Sequence, residues 1–232
     1  MNVIITGSSK GIGKSIALRF AAAGYNVCLC SRNKEELEKT ADEIEKKFSN
    51  IKVFARPADL SDKNEAITFG AWCLEHVEPD VLINNTGTYL PGNIMDEPEG
   101  NLELLIETNL YSAYNVTRAL LPAMKQKGSG HIFNICSVAS LQAYPGGGSY
   151  SISKFALNGF SQNLRYELMQ HKIKVTAVFP GAVLTDSWKG FDNSDGRIME
   201  VSDIADMIFA TSQLTPQANV EEIVIRPLLG DL

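Results

Sequence analysis

A tyrosine and a lysine stand four residues apart in the segment YSISK, residues 150–154. Four residues make about one helical turn, so a helix here would present Tyr150 and Lys154 on the same face. A phenol with a pKa near ~10 exchanges protons poorly at neutral pH, but a cation about 4 Å away could supply the roughly 4 kcal/mol that lowers this pKa to about 7. The pair predicts a proton donor, Tyr150, that is tuned by Lys154. The same spacing also opens many ordinary amphipathic helices, and by itself it leaves both interpretations open.

Two further polar residues are candidates for the same site. Ser137 follows the apolar run HIFNIC, where a parallel sheet would present it at its carboxyl edge. A serine in this place can also be simple turn chemistry. Asn109 lies within a largely apolar helical segment, where its amide must be paired or functional.

The elements that must position these residues alternate along the chain. Short apolar runs rich in β-branched residues occur at 3–6, 26–30, 51–55, 80–84, 131–136, 174–179 and 222–226. Helix-period segments lie between them, at 12–23, 34–48, 62–77, 101–126, 151–170 and 202–213. We therefore predict a single α/β domain over residues 1–232, with a doubly wound, Rossmann-type parallel sheet of about seven strands and helices on both faces.

A glycine-rich turn joins the first predicted strand to the first predicted helix. Gly7, Gly11 and Gly13 allow a tight turn, a close approach of the backbone to a pyrophosphate and close packing of helix on strand. The start of the helix offers unpaired N–H groups to an anion. The turn predicts a nucleotide cofactor, although such turns also serve packing alone.

The end of the second predicted strand indicates which dinucleotide binds. NAD-binding folds place an acidic residue there for the ribose 2′-hydroxyl, but this chain has Ser31 followed by Arg32. An arginine can hold a 2′-phosphate through a forked, charge-assisted pair, and Lys10 adds a second cation on the same side. We predict NADP(H) as the cofactor, against the alternative that both cations are ordinary solvated charges.

Taken in order, the motifs resemble those of the short-chain dehydrogenase/reductase family in its single-domain form. They are TGSSKGIG (6–13), Asp59-Leu60, NNTG (84–87), Asn109, Ser137, YSISK (150–154) and PGAVLT (180–185). The one small departure is Thr86, where the family usually has alanine.

The resemblance implies roles for these residues. Tyr150 would donate the proton, Ser137 would polarise the substrate carbonyl, Lys154 would also hold the nicotinamide ribose, and Asn109 would kink its helix and position a relay water. Asp59 would contact the adenine, Asn84 would steady the sheet near the cofactor, and Val183 and Thr185 would contact the carboxamide. The predicted cofactor-binding set is Gly7, Ser9, Lys10, Gly11, Ile12, Gly13, Ser31, Arg32, Asp59, Leu60, Asn85, Gly87, Tyr150, Lys154, Pro180, Gly181, Val183 and Thr185.

Composition excludes several other classes of function. A net charge of −6 disfavours nucleic acid and anionic membrane surfaces as partners. The three histidines are scattered, so no metal site is expected. The four cysteines stand singly in apolar stretches, which indicates reduced core thiols and a cytoplasmic location, and no signal peptide or membrane span is expected. The segment from Leu102 to Leu121 is apolar on more than one face, which predicts a homodimer or homotetramer.

The walls of the substrate pocket are expected to come from residues 138–149 and from the segment after Thr185. These supply apolar and aromatic residues and two nearby cations, namely Val138, Leu141, Tyr144, Trp188, Phe191, Lys189 and Arg197. A small-molecule carbonyl compound or alcohol that is apolar or aromatic fits this composition better than a sugar phosphate does, with a distal anion held by Lys189 or Arg197 as an open alternative. Two other classes of function also remain open: an NADP-binding regulatory protein without turnover, and an epimerase or dehydratase on the same fold.

Overall fold

Seven strands form one parallel sheet in the computed structural model, which describes residues 1–231. The strands are β1 (Asn2–Thr6), β2 (Asn26–Ser31), β3 (Val53–Pro57), β4 (Val81–Asn84), β5 (Gly130–Ile135), β6 (Ile173–Pro180) and β7 (Glu222–Ile225). Their order across the sheet is β3-β2-β1-β4-β5-β6-β7. The chain therefore reverses its direction of winding between β1 and β4, and ligands of such folds bind at the carboxyl edge beside that point. The predicted fold class is confirmed.

Helices cover both faces of the sheet. They are α1 (Gly11–Ala22), α2 (Lys34–Lys47), α3 (Lys63–His76), α4 (Asn101–Ile106), α5 (Ser112–Lys127), α6 (Gly148–Leu168) and α7 (Val201–Ser212). On one face, α1, α2 and α7 pack around Phe20, Leu29 and Ile208. On the other face, α3, α5 and α6 pack around Phe69, Leu120 and Leu164. The β strands lie between these two apolar layers, which explains their near-continuous hydrophobic runs.

Two helices differ from the sequence prediction. The helix expected over 101–126 is interrupted by a π-helical turn over Glu107–Tyr111, so α4 and α5 are separate elements. The helix expected over 151–170 already begins at Gly148, which places Tyr150 in its first turn. Apolar periodicity alone does not reveal a π turn, because the extra residue shifts the pattern by less than one position per turn.

The structure also bears on the expectations about thiols, membrane spans and metal sites. Cys28, Cys30, Cys73 and Cys136 are buried and free, as expected of core thiols. Within residues 1–231, no helix combines the length and the apolar character needed to cross a membrane. Over the same range, no group of three or more His, Cys, Asp or Glu residues is arranged to hold a metal ion.

Candidate active site

The glycine-rich turn has the geometry that the sequence predicts. Gly7 and Gly11 adopt φ of +63° and +56°, in the left-handed region that other residues rarely occupy. Gly13 lies within α1, where a Cβ would be only 2.3 Å from the Gly7 carbonyl oxygen. Only glycine at this position lets α1 approach the end of β1 so closely. The turn lies at the carboxyl edge of the sheet, where Gly7 and Gly11 expose backbone without a Cβ to the cleft.

The segment after β4 is tied to this turn. Thr6 Oγ1 accepts hydrogen bonds from the backbone N–H groups of Asn85 and Thr86, both at 3.0 Å. The Asn85 side chain donates to the carbonyls of Thr6 and Gly7 at 3.0 and 2.9 Å. Asn85 therefore holds the two loops together and has no further amide N–H to offer a ligand. Asn84 plays the steadying role expected of it, because its amide donates to Asn134 on β5 and to Thr117 on α5.

Polar and basic residues surround the end of β2. Ser31 lies 2.9 Å from Ser9, measured between the two hydroxyl oxygens, so the turn and the strand end are in contact. Arg32 is exposed and, among residues 1–231, forms no ion pair with a carboxylate. Lys10 instead pairs with Asp186, which follows β6, and this hydrogen-bonded carboxylate raises the pKa of the lysine. An anionic group at this end of the cleft would meet one cation that is already available and a second that must leave Asp186.

The first turn of α6 positions Tyr150 and Lys154 on one face, as predicted. Lys154 is only 5% exposed, and its Nζ donates to the Ile135 carbonyl at 2.9 Å and lies 5.9 Å from the centre of the Tyr150 ring. Burial lowers the pKa of Lys154 to about 8. The ammonium group is thus fixed beside the last residue of β5, on the side of the phenol that faces the sheet.

Burial opposes the predicted tuning of the phenol. Burial raises the pKa of Tyr150 to about 12, and a hydrogen bond with Ser137 opposes this rise only in part. The prediction assumed a semi-polar site, whereas desolvation of the phenolate dominates here. A phenol of this pKa remains protonated at neutral pH, and it can therefore donate a proton to a stronger base.

Asn109 lies in the π-helical turn and is fully buried. Its Oδ1 accepts the Thr88 N–H at 2.7 Å, and its Nδ2 donates to the Thr88 carbonyl at 3.1 Å and to Ser153 Oγ at 2.9 Å. A Cβ on Gly87 would lie 3.2 Å from Asn109 Oδ1 and 3.5 Å from Lys154 Nζ, so these two groups flank the same glycine. The side chain connects the loop after β4 to α6, and its predicted role with a relay water stays a prediction.

One cleft of about 860 Å³ at the carboxyl edge of the sheet brings these residues together. Every residue of the predicted cofactor set except Gly13 lines it, and so does Ser137. Gly13 packs against the Gly7 carbonyl, and the side chain of Asn109 lies next to Gly87, so neither of them lines the cleft. The volume lies within the ~300–1,000 Å³ typical of ligand sites. An extended cleft with glycines at one wall and cations at one end fits a dinucleotide.

The substrate side of the cleft differs from the prediction in several residues. Val138, Tyr144 and Trp188 line it as expected, whereas Leu141, Phe191, Lys189 and Arg197 do not. Arg197 instead donates to the carbonyls of Gly230 and Asp231. Sequence reasoning missed Tyr89 and Asp231 among the lining residues. Tyr89 stands two residues beyond the NNTG motif, which was the only available signal for it, and none pointed to Asp231.

Comparisons with known proteins identify the family of the chain. The family model described as short chain dehydrogenase matches residues 1–195. The chain is 33% identical over 241 residues to a sepiapterin reductase of Chlorobaculum tepidum, covering 99% of this chain and 97% of that protein. It is 30% identical over 233 residues to an uncharacterized oxidoreductase of Staphylococcus aureus strain USA300, covering 97% and 96%.

Solved structures show the same architecture together with a bound nucleotide. An alcohol dehydrogenase from the archaeon Thermococcus sibiricus, complexed with 5-hydroxy-NADP, superposes with a TM-score of 0.90 at 27% identity, covering 98% of this chain and 96% of that one. A metagenomic short-chain oxidoreductase in complex with NADP superposes with a TM-score of 0.85 at 30% identity, with the same coverage.

Proposed function

Because the chain belongs to the short-chain dehydrogenase/reductase family, we propose that it is an NADP(H)-dependent oxidoreductase that interconverts a ketone or aldehyde and the corresponding alcohol. The observation that carries this proposal is the placement of Ser137, Tyr150 and Lys154 on one wall of the cleft whose other end is formed by the glycine-rich turn. The catalytic set is Asn109, Ser137, Tyr150 and Lys154.

Charge at the end of β2 supports NADP(H) over NAD(H). Arg32 is exposed at the cleft and has no carboxylate partner among residues 1–231, and Ser31 stands where an acidic residue would repel a 2′-phosphate. A carboxylate about 4 Å from that phosphate would cost ~4 kcal/mol at an effective dielectric of 20. The NADP-bound relatives from Thermococcus sibiricus and from the metagenome favour the same cofactor.

The residues around Tyr150 divide the chemistry among them. Bound NADPH supplies the hydride that reduces the carbonyl carbon. Tyr150, protonated at neutral pH, donates its proton to the oxygen, which becomes a strong base as the carbonyl is reduced. Ser137 stabilises the charge on that oxygen. Lys154, with a pKa of about 8, is mostly protonated at neutral pH and can return a proton toward Tyr150.

Loss of the Tyr150 hydroxyl tests this assignment directly. Purified protein is screened against ketones and aldehydes while the absorbance of NADPH is followed, with the Tyr150→Phe protein as a blank. We expect this variant to lose at least ~100-fold in kcat, the scale of lost acid catalysis. Tyr166→Phe makes the same chemical change on an exposed part of α6 and serves as the matched control. Full turnover by Tyr150→Phe would refute the mechanism.

Cofactor choice has its own measurement. Wild-type protein is compared with NADPH and NADH at equal substrate concentration. We expect the wild type to have a lower KM for NADPH than for NADH. The Arg32→Ala variant should have a smaller difference between these two KM values. Equal or better use of NADH by the wild type would contradict the assignment.

We also propose that the protein is a homodimer or homotetramer in the cytoplasm. Large side chains on α4, the π turn, α5 and α6 remain exposed, among them Leu104, Tyr111, Tyr114, Ile152 and Phe155. Such a surface is typical of a subunit interface. The four free, buried cysteines are consistent with a reducing compartment. Sedimentation as a stable monomer would refute the oligomer.

A further inference from the structure

The substrate half of the cleft lies beside Tyr150, away from Arg32 and the glycine-rich turn. Three segments form its walls: the loop after β4 with Thr88 and Tyr89, the loop after β5 with Gln142 and Tyr144, and the segment after β6 with Trp188. The first two of these segments are joined. Gly92 N–H donates to the Gly146 carbonyl at 3.0 Å, which holds the first two loops together.

Aromatic rings form the part of this wall next to the proton donor. The Tyr89 ring meets the Tyr150 ring edge to face, with centroids 4.8 Å apart and planes at 83°. Tyr89 also interacts with the Tyr144 phenol. Desolvation raises the pKa of Tyr144, and the interaction with Tyr89 adds to this rise. Trp188 lines the cleft and packs edge to face against Phe191, with ring centroids 5.3 Å apart. A flat, apolar substrate would find ring surfaces beside its reacting carbonyl.

Charges in the cleft are unfavourable to an anion. Two carboxylates line it on the side of the β6 segment and the C-terminal tail, those of Asp186 and Asp231. Asp231 pairs with Arg226 and lies against Gly181, where a Cβ would be 2.3 Å from its Oδ1.

The lining cations are committed elsewhere. Lys10 pairs with Asp186, Lys154 is buried against the Ile135 carbonyl, and Arg32 lies at the far end of the cleft. The sequence indicated Arg197 as a candidate to bind an anion, but its side chain donates to carbonyls of the C-terminal tail and does not line the cleft. A negative group on the substrate that lies away from Lys154 would therefore be next to Asp186 and Asp231, and Lys10, the other cation lining this part of the cleft, already has a carboxylate partner, so its desolvation would be costly.

We propose that this site selects neutral aromatic carbonyl compounds over anionic and non-aromatic ones, and that Tyr89 is the residue that sets the aromatic preference. The inference rests on the proposed function, since it names the substrate class of the same cleft. Of the two alternatives that the composition left open, it favours a neutral substrate over one with a distal anion held by Arg197.

Three aldehydes of similar shape test the proposal. They are methyl 4-formylbenzoate, which is neutral and aromatic, its free carboxylate 4-formylbenzoate, and methyl trans-4-formylcyclohexanecarboxylate, which is neutral but not aromatic. At pH 7 with saturating NADPH, we expect kcat/KM for the aromatic ester to exceed that of the carboxylate at least tenfold and that of the cyclohexane ester at least fivefold.

Two variants of Tyr89 locate the aromatic preference. Tyr89→Phe retains the ring and should keep the ratio between the aromatic and cyclohexane esters. Tyr89→Leu removes the ring and should bring that ratio to about one. An unchanged ratio in Tyr89→Leu would overturn the assignment of Tyr89.

Binding provides a readout that is independent of turnover. The three aldehydes are titrated calorimetrically into the Tyr150→Phe protein loaded with NADPH, where we expect the aromatic ester to bind at least tenfold more tightly than the carboxylate. Equal or tighter binding of the carboxylate, or no binding of any of the three, would overturn the selectivity. If this discrimination is found but the wild type reduces none of the aldehydes, the proposed function fails and the selectivity of the cleft stands.

Discussion

Close packing of α1 on the end of β1 shapes the cofactor turn, and Gly13→Ala tests it. A Cβ on Gly13 would lie 2.3 Å from the Gly7 carbonyl oxygen and 2.5 Å from Asn85 Nδ2. These two atoms form a hydrogen bond of 2.9 Å with each other. The methyl group must therefore displace the turn, the loop after β4, or both.

The size of the effect follows from three contributions. Forcing a methyl group into a packed interior costs ~1–3 kcal/mol, and losing the Asn85 hydrogen bond costs about 1 kcal/mol. The helical preference of alanine over glycine offsets about 1 kcal/mol. The free energy of unfolding should fall by roughly 1–3 kcal/mol, which lowers Tm by roughly 2–12 °C in a domain of this size.

Thermal unfolding and a fluorescence titration with NADPH measure the two consequences. Gly70→Ala is the matched control, because a Cβ there would lie 2.4 Å from the Ala119 Cβ, between α3 and α5 and outside the cleft. Both variants should unfold at lower temperature, but only Gly13→Ala should bind NADPH more weakly. The reasoning is wrong if Gly13→Ala keeps the wild-type Tm and affinity, or if Gly70→Ala loses affinity equally.

Three further predictions concern the surface, the core and the π turn. Asp186→Asn removes the carboxylate that pairs with Lys10 and leaves this lysine free for the cofactor. The Kd for NADPH should fall by up to about fivefold, which is the scale of an exposed ion pair. An unchanged or higher Kd would argue against a transfer of Lys10 from Asp186 to the cofactor. Burial lowers the pKa of His131 to about 3, so below its ordinary value of 6.5 the unfolded chain binds a proton that the folded chain does not, and stability falls as the pH drops from about 6.5 toward 3. His131→Gln should make Tm less steeply dependent on pH over this window, and an identical slope would show that His131 does not contribute. Asn109→Ala leaves the Thr88 N–H and carbonyl without their partner and should destabilise the fold by about 1–3 kcal/mol in chemical denaturation, with no change counting against the bridge.

Much of the fold could be predicted because it depends on local backbone requirements. The alternation of short β-rich runs with helix-period segments predicted a seven-stranded parallel sheet. Gly7 and Gly11 predicted a tight turn, and in the structure both adopt a positive φ. The π turn around Asn109 could not be read from periodicity, because it changes the spacing of apolar residues too little to break the pattern.

Partners distant in the sequence could not be predicted in the same way. The ion pair between Lys10 and Asp186 joins the turn after β1 to the segment after β6, and no local pattern relates them. The sequence indicated Arg197 as a candidate ligand for an anion. In the structure its guanidinium group instead donates hydrogen bonds to carbonyls of the C-terminal tail. Tyr89 reaches the Tyr150 ring only because the loop after β4 packs on α6.

The sequence by itself determined the order and type of the elements, the glycine-rich turn and the residue types available for chemistry, since these depend on what each short segment can form. Tertiary structure decided the electrostatics and the substrate wall. The spacing of Tyr150 and Lys154 suggests a phenol with a lowered pKa, whereas burial raises that pKa to about 12. The reason is physical: desolvation and long-range pairing depend on every element that surrounds a group, and these neighbours are assembled only when the chain folds.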